Sequence, residues 1–139
     1  MSTAAGALIF LWLGMVLAIS FLEAPLKFRA PDVTLRIGLG IGRLVFRALN
    51  GVEALLAIVI VVLVIADRPG AAAIVGVVVT VAILVAQLAG VRPRLTKRSD
   101  QVLAGEDAPR SHAHYVYIGL EAAKVVALIT TGTLLLNAG

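Results

Sequence analysis

The chain has 139 residues, of which 60% are hydrophobic and only 14% are charged, whereas about a quarter of the residues in an ordinary soluble domain are charged. This composition excludes a soluble globular domain and predicts an all-α integral membrane protein, a four-transmembrane-helix bundle with about 20 residues in each span. The absence of cysteine excludes disulfides and thiolate chemistry, and the net charge of +4 comes mainly from basic residues beside apolar spans, which favours anionic lipids over nucleic acid as partners.

The first predicted span covers residues 4–22, an apolar run that carries no charge. No basic residue precedes this run and the residues after it form a poor cleavage site, so we interpret it as a retained helix rather than a signal peptide. Residues 23–43 follow as a basic connector, in which Pro25 and Pro31 are expected to interrupt any helix. Asp32 is the candidate N-cap of the next helix.

The second predicted span covers residues 44–66. A helix that began at residue 33 would be about 51 Å long, which exceeds a hydrocarbon core of about 30 Å. We therefore expect its first turns to lie outside the core or to break within the glycine run at residues 38–42. The first half of the span carries three polar residues at three-residue steps, Arg47, Asn50 and Glu53. Its second half is aliphatic, so the polar stripe occupies one end of the helix.

The third predicted span covers residues 71–90 and follows a Pro-Gly turn at residues 69–70. It is the least polar span, with Thr80 and Gln87 seven residues apart on one face. Gly76 lies four residues before Thr80, a spacing that favours close helix packing in lipid.

Residues 91–114 form a second basic connector, predicted as a solvated loop with room for a short helix around residues 100–104. The fourth predicted span covers residues 115–136. At its start, four residues follow at spacings of three, four and three, which a helix gathers onto one face: His114, Tyr117, Glu121 and Lys124. Since a charge in hydrocarbon costs about 2.5 to 3.5 kcal/mol on insertion scales, we expect this face to point into the protein and find partners.

The depths of the charged residues on the second and fourth spans match. At 1.5 Å of rise per residue, Glu53 and Lys124 both lie roughly 15 Å from the basic end, and Glu121 lies at about the level of Asn50. We expect the second and fourth helices to be adjacent and to pair these charges, with Gln87 and Thr80 approaching from the third span. The first span ends in Ser20 and Glu23, which are expected to join near the basic end.

The two connectors at residues 23–43 and 91–114, with the adjoining helix ends, hold most of the basic residues. The short connection between the second and third spans holds only Arg68. By the positive-inside rule these two connectors are predicted to be cytoplasmic. The same rule predicts that both termini are extracytoplasmic, in a multi-pass protein of the plasma (inner) membrane.

Together these patterns predict a polar pocket that faces the cytoplasm. Its candidate ligand-binding residues are Arg43, Arg47, Asn50, Glu53, Gln87, His114, Tyr117, Glu121 and Lys124. Cations outnumber carboxylates in this set, so we expect the pocket to bind or move a small solute that is anionic or proton-coupled, or a lipid headgroup. The alternative is a non-catalytic accessory or assembly subunit of a larger membrane complex, in which the same charges hold the helices in register.

Other chemistry is weakly supported by the sequence. His112 and His114 would need two further metal ligands, and helix geometry points their rings about 200° apart. We therefore expect no metal and no cofactor, and favour a histidine near lipid headgroups. No nucleophile motif or acid and base pair is recognisable, which argues against an enzyme without excluding one. The expected partners are the lipid bilayer, anionic lipids, and either a second copy of the chain or a larger membrane complex.

Two short stretches carry a family resemblance, Ala24-Pro25-Leu26-Lys27-Phe28 after the first span and Gly42-Arg43-Leu44-Val45-Phe46 at the start of the second. With the overall plan of spans, they resemble small four-helix bacterial membrane proteins of unassigned function, which are similar to a eukaryotic transmembrane protein associated with platinum-drug resistance. The DoxX-like family has a similar hydropathy profile and is the alternative. Either resemblance implies a four-helix fold and no established chemistry.

Overall fold

The computed structural model describes residues 2–105 and 112–138, with side chains in the last segment from residue 114 onward. Those residues form helices joined by short turns and contain no strand. The four long helices are α1 (Ser2–Lys27), α2 (Leu35–Asp67), α3 (Ala71–Leu103) and α4 (His112–Ala138). Each is long and apolar enough to cross a membrane, which confirms the predicted helical class and the number of candidate spans.

The helices follow one another around the bundle in chain order. α1 packs against α2 and α4, and α3 packs against the same two helices. α2 and α4 therefore lie diagonally across the bundle, and the prediction that they are adjacent is wrong. Consecutive helices become neighbours because the connections between them are short. Side chains that link α2 to α4 therefore have to meet on the axis of the bundle.

α2 is a single helix of 33 residues, about 50 Å long at 1.5 Å per residue. The glycine run does not break it, because Gly38 is buried against the ring of Phe28, where an added Cβ would overlap that ring. Thr34 caps its first turn by accepting a hydrogen bond from the backbone N–H of Ile37 at 3.2 Å. The proposed cap, Asp32, lies outside the helix in a turn with φ of 66°.

α3 also spans 33 residues, so the segment 91–103 that was predicted as a solvated loop is mostly helical. The extension packs against the first turns of α2, where Arg43 forms an ion pair with Asp100 at 2.7 Å. Packing against this partner compensates for the high polarity of the segment, because tertiary contacts supply most of the stability of a helix. α2 and α3 therefore both continue beyond their apolar spans at the same end of the bundle.

α1 and α3 each contain one proline, which a wide helical turn accommodates. A π-helical turn, Leu17–Glu23, precedes Pro25 in α1, and another, Gln87–Val91, precedes Pro93 in α3. A proline removes one backbone hydrogen bond and its ring presses on the carbonyl one turn earlier, and local π adjustment relieves both effects. The expected interruption at Pro25 therefore does not occur, and α1 continues to Lys27.

The opposite end of the bundle is closed by apolar packing. A large core of aliphatic residues and Trp12 fills this half. The α2–α3 turn has left-handed backbone at Arg68, with φ of 49°. The side chain of Ser2 donates a hydrogen bond to Asp67 beside that turn, and Gly6 permits close contact with Leu136. The described ends of the chain therefore lie at this closed end, away from the basic connectors.

Candidate functional site

A network of polar side chains lies buried on the axis of the bundle. At its centre the Lys124 ammonium from α4 pairs with the carboxyl groups of Glu53 from α2 and Glu121 from α4, the latter at 2.6 Å. The same ammonium donates to Oε1 of Gln87 from α3 at 2.9 Å, and the Gln87 amide donates to Glu121 at 3.2 Å. These four residues are at most 1% exposed. The structure thus brings Glu53 and Lys124 together, as their matched depths predict.

α1 completes this network with two residues on one face. Trp12 donates a hydrogen bond from Nε1 to Oε2 of Glu53 at 2.7 Å, and Ser20 donates to Oε2 of Glu121 at 2.5 Å. Sequence reasoning placed Ser20 near the basic end but missed Trp12. The spacing of eight residues between them, two helical turns, is a signal that could have identified the tryptophan as a partner. All four long helices therefore contribute to the network.

The two π-helical turns lie at the level of this network. Ser20 belongs to the wide turn in α1, and Gln87 is the first residue of the wide turn in α3. Both contact Glu121. π-helical turns inside longer helices frequently occur at functional sites. Here each wide turn contributes one polar side chain to the same carboxylate on α4.

A cavity of about 970 Å³ adjoins the network at the basic end. All four long helices contribute to its walls, and Glu121 belongs both to the wall and to the buried network. The cavity walls are largely apolar, with Phe21, Leu44 and Ile118 among their residues. These three side chains are 42–72% exposed, so the mouth of the cavity borders the apolar outer surface of the bundle.

The guanidinium of Arg92 is held in the wall of the cavity by two aromatic rings. Its guanidinium carbon lies 4.4 Å from the ring centroid of Tyr117 and 5.0 Å from that of Phe46. The two rings meet edge to face with centroids 6.1 Å apart. Nε and Nη2 of the guanidinium are buried and have no hydrogen-bond partner. The aromatic rings therefore fix the position of a charged group, and two of its donor nitrogens have no partner among the described residues.

Three other buried polar atoms in the wall also lack a hydrogen-bond partner. They are Oδ1 of Asn50, Oγ of Ser99 and the Tyr117 hydroxyl. Buried polar groups in native proteins are almost always paired, because an unmade hydrogen bond leaves the desolvation cost of the group uncompensated. Several unpaired polar atoms in the wall of one cavity are typical of a site that receives a polar ligand.

The wall of the cavity is strongly basic. It contains five cationic side chains, Lys27, Arg43, Arg47, Arg92 and Arg98. Glu121 is the sole carboxylate among its described residues. Lys27 lies 3.8 Å from Glu23, and Arg43 pairs with Asp100. Within the described ranges no carboxylate pairs with Arg47 or Arg92, so the cavity carries an excess of positive charge.

The nine residues predicted for the pocket divide into two groups. Six line the cavity: Arg43, Arg47, Asn50, His114, Tyr117 and Glu121. Glu53, Gln87 and Lys124 lie in the buried network next to it. Thr80, which was expected to approach the charged residues beside Gln87, donates to the carbonyl of Gly76 within α3. Arg92, Lys27 and Ser99 were missed, because the sequence placed them in solvated connectors.

The residues that the structure describes contain no cluster of three or more His, Cys, Asp or Glu side chains with the geometry to hold a metal ion. The side chain of His112, one of the two histidines considered as metal ligands, lies outside the described part of the chain. His114 lies in the cavity wall and packs edge to face on Tyr115, with ring centroids 5.6 Å apart.

Comparison of the chain with known protein families, with curated proteins and with solved structures finds no match.

Proposed function

We propose that this chain is a multi-pass membrane protein that binds a ligand bearing an oxyanion in the cavity at its basic end. The observation that carries the proposal is the guanidinium of Arg92, which has two buried nitrogen atoms without partners. A guanidinium forms its strongest hydrogen bonds with carboxylate, phosphate and similar oxyanions. An oxyanion in the cavity would satisfy those donors and offset the excess positive charge.

The other buried polar atoms support the same ligand chemistry. The hydroxyls of Tyr117 and Ser99 can each donate a hydrogen bond to an oxyanion, and neither has a partner in the described structure. The apolar walls and the exposed apolar residues at the mouth suit a ligand that also has an apolar part. A lipid with an anionic headgroup has both features, and so does a small amphipathic acid.

The orientation that we propose follows the distribution of basic residues. Lys27, Arg29, Arg43, Arg92 and Arg98 all lie at the cavity end, whereas Arg68 lies at the other. Cytoplasmic loops of membrane proteins carry an excess of lysine and arginine. We therefore place the mouth of the cavity at the cytoplasmic face of the plasma membrane and both termini outside.

The packing of the other half of the bundle favours binding over conduction. Below the buried network the described core is mainly aliphatic, with Ile9, Ile60 and Leu128 fully buried and only scattered polar side chains such as those of Thr80 and Thr131. An aqueous pathway would need polar groups along its length. Movement of the ligand across the membrane would therefore require a second arrangement of the helices, whereas binding from the basic end would not.

The test compares two arginines on the same helix. Arg92 lines the cavity, whereas Arg94 is exposed and lies outside it. The protein in a neutral detergent is titrated with inorganic phosphate, with short-chain phosphatidylglycerol and with short-chain phosphatidylcholine, and dissociation constants are measured. We expect the Arg92→Gln variant to lose about tenfold or more in affinity for the anionic probe that binds, because a hydrogen bond to a charged group contributes about 1.5–3 kcal/mol. The Arg94→Gln variant should bind as the wild type does.

The probes distinguish the sources of the oxyanion. Binding of phosphatidylglycerol without inorganic phosphate would identify a lipid headgroup, and binding of inorganic phosphate would identify a soluble oxyanion. Both outcomes support the proposal if they depend on Arg92. Equal affinities in the two arginine variants, or no preference for anionic probes, would overturn it and favour an accessory subunit whose charges only hold the helices together.

A further inference from the structure

The charges of the buried network do not balance. It contains the carboxyl groups of Glu53 and Glu121 and a single cation, Lys124, with side-chain exposures of 0–2%. Its other members, Trp12, Ser20 and Gln87, are neutral. If both carboxyl groups were ionised, the network would carry one uncompensated negative charge inside four apolar helices. A protein avoids an uncompensated buried charge by taking up a proton.

The hydrogen bonds distinguish the two carboxyl groups. Both oxygens of Glu121 accept hydrogen bonds, Oε1 from Lys124 and Gln87 and Oε2 from Ser20. Several donors directed at both oxygens favour the ionised form. Glu53 differs, because Trp12 and Lys124 both donate to Oε2, while Oε1 is buried and has no partner. A bare oxygen costs least when the group is neutral.

We propose that the network is a proton-binding site, in which Glu53 carries one exchangeable proton on Oε1 while Lys124 and Glu121 form an ion pair. The network is then neutral. Proton binding forms one O–H bond at Oε1 with a proton from water. Release returns that proton to water and leaves two carboxylates to share the Lys124 ammonium. Glu121 connects this site with the cavity, because it lines the cavity wall and pairs with Lys124.

Groups from every helix influence this proton. Within the network, α1 contributes only the neutral donors of Trp12 and Ser20, and α3 contributes Gln87. On the side of the cavity, the charged or titratable groups are Lys27, Arg43, Arg47, Arg92, Arg98, His114 and Tyr117. The cations among them favour proton release. An anion bound in the cavity would offset these cations and favour proton uptake; this linkage rests on the proposed function, whereas the proton itself does not.

Infrared spectroscopy tests the proposal without any ligand. The protein in nanodiscs at neutral pH should show the C=O stretching band of one protonated carboxyl group, shifted by exchange into D₂O. The Glu53→Gln variant should lose this band and remain folded, because the amide can accept the hydrogen bonds from Trp12 and Lys124. The Glu23→Gln variant is the matched control and should keep the band, since Glu23 is not part of the network.

A second variant covers the case in which Glu53→Gln does not fold. In the Glu121→Gln variant, Glu53 becomes the only carboxyl group available to Lys124 and should ionise, so the band should disappear there as well. The Glu53→Asp variant keeps one protonated carboxyl group, so the band should remain and shift in frequency, whereas a proton on Glu121 would leave the band unshifted. The proposal is overturned if the wild type shows no protonated carboxyl group, or if the band persists in either glutamine variant or is unshifted in Glu53→Asp. Neither of these results would affect anion binding at Arg92, which the comparison with Arg94 tests separately.

Discussion

Lys124 is the residue through which the buried charges are connected. Its ammonium pairs with Glu53 and Glu121 and donates to Gln87, with no exposure of the side chain. The attraction of buried charges for one another has to offset the cost of removing each of them from water. The three partners together provide enough acceptors for the three N–H groups of the ammonium. Loss of this one cation therefore affects every other member of the network.

The Lys124→Met variant should be destabilised by about 3–5 kcal/mol, the usual cost of removing one partner of a buried ion pair. The free energy of unfolding is measured in mixed micelles by titration with a denaturing detergent. Adding Glu121→Gln to Lys124→Met should recover part of the loss, because the network then contains no unpaired carboxylate.

Lys97 provides the control for this measurement. It is an exposed lysine on α3, and Lys97→Met should change the free energy of unfolding by no more than about 0.5 kcal/mol. Equal losses of stability in Lys124→Met and Lys97→Met would contradict the role assigned to Lys124. A double variant that is less stable than Lys124→Met would contradict it as well.

At the scale of the helix, small residues determine how closely α3 approaches α4. Gly76 packs against Thr131, a fully buried residue of α4, and an added Cβ would overlap the threonine side chain. The spacing of Gly76 and Thr80 predicted a close helix contact, and the structure places one there. Gly51 in α2 differs, because an added Cβ there would have open space around it.

These two glycines allow one substitution to be compared at two sites. Gly76→Leu should lower the free energy of unfolding by about 1–3 kcal/mol, because overpacking forces the helices apart. Gly51→Leu should be neutral or stabilising by up to about 1 kcal/mol, because leucine favours a helix more than glycine does. Unfolding in mixed micelles measures both, and equal effects at the two positions would show that the contact between α3 and α4 is not tight.

The helices themselves also show what the sequence can reveal. Hydropathy alone identifies all four long helices, because each contains a long and predominantly apolar run. It does not predict that α3 continues to Leu103, since the segment after residue 91 is polar and is held by contacts with α2 that the sequence does not display. Nor does it predict that the helices pass Pro25 and Pro93, because a proline in a sequence does not indicate whether a wide turn will accommodate it.

The candidate site was also only partly predictable from the sequence. Charged residues within apolar spans are conspicuous, so the sequence identifies Glu53, Glu121 and Lys124. Matched depths indicate that Glu53 meets Lys124, but they placed Glu121 level with Asn50 and did not indicate its ion pair with Lys124. Trp12 resembles an ordinary apolar residue, and its partner is apparent only from the fold. Arg92 is one of many basic residues in its segment. Its distinctive feature, a pair of buried donors without acceptors, exists only in the three-dimensional structure.

At the scale of the whole molecule, the bundle is asymmetric. One end is closed by aliphatic packing, and the other contains a basic cavity bordered by apolar surface. The buried network separates the two halves. This arrangement presents positive charge to one side of the molecule and supports ligand access from that side alone. Ligand access from the basic end requires a cavity that is open to water and electropositive.

Charge-selective labelling of a cysteine at position 99 tests that claim most directly, since the chain contains no cysteine. Ser99 lines the cavity, is 7% exposed and has an unpartnered Oγ, so Ser99→Cys places a thiol there with little change in size. Modification rates are measured at low salt with a sulfonate-bearing and a trimethylammonium-bearing methanethiosulfonate. The Ala71→Cys variant, exposed at the closed end, is the control.

At each position we compare the modification rate of the anionic reagent with that of the cationic reagent. In an electropositive cavity this ratio should be about tenfold or more higher at position 99 than at position 71, because a charged cleft concentrates ions of opposite sign. Added salt and the Arg92→Gln substitution should both reduce this preference. A preference at position 99 that equals the preference at position 71, or that neither added salt nor Arg92→Gln reduces, would contradict an open, positively charged cavity.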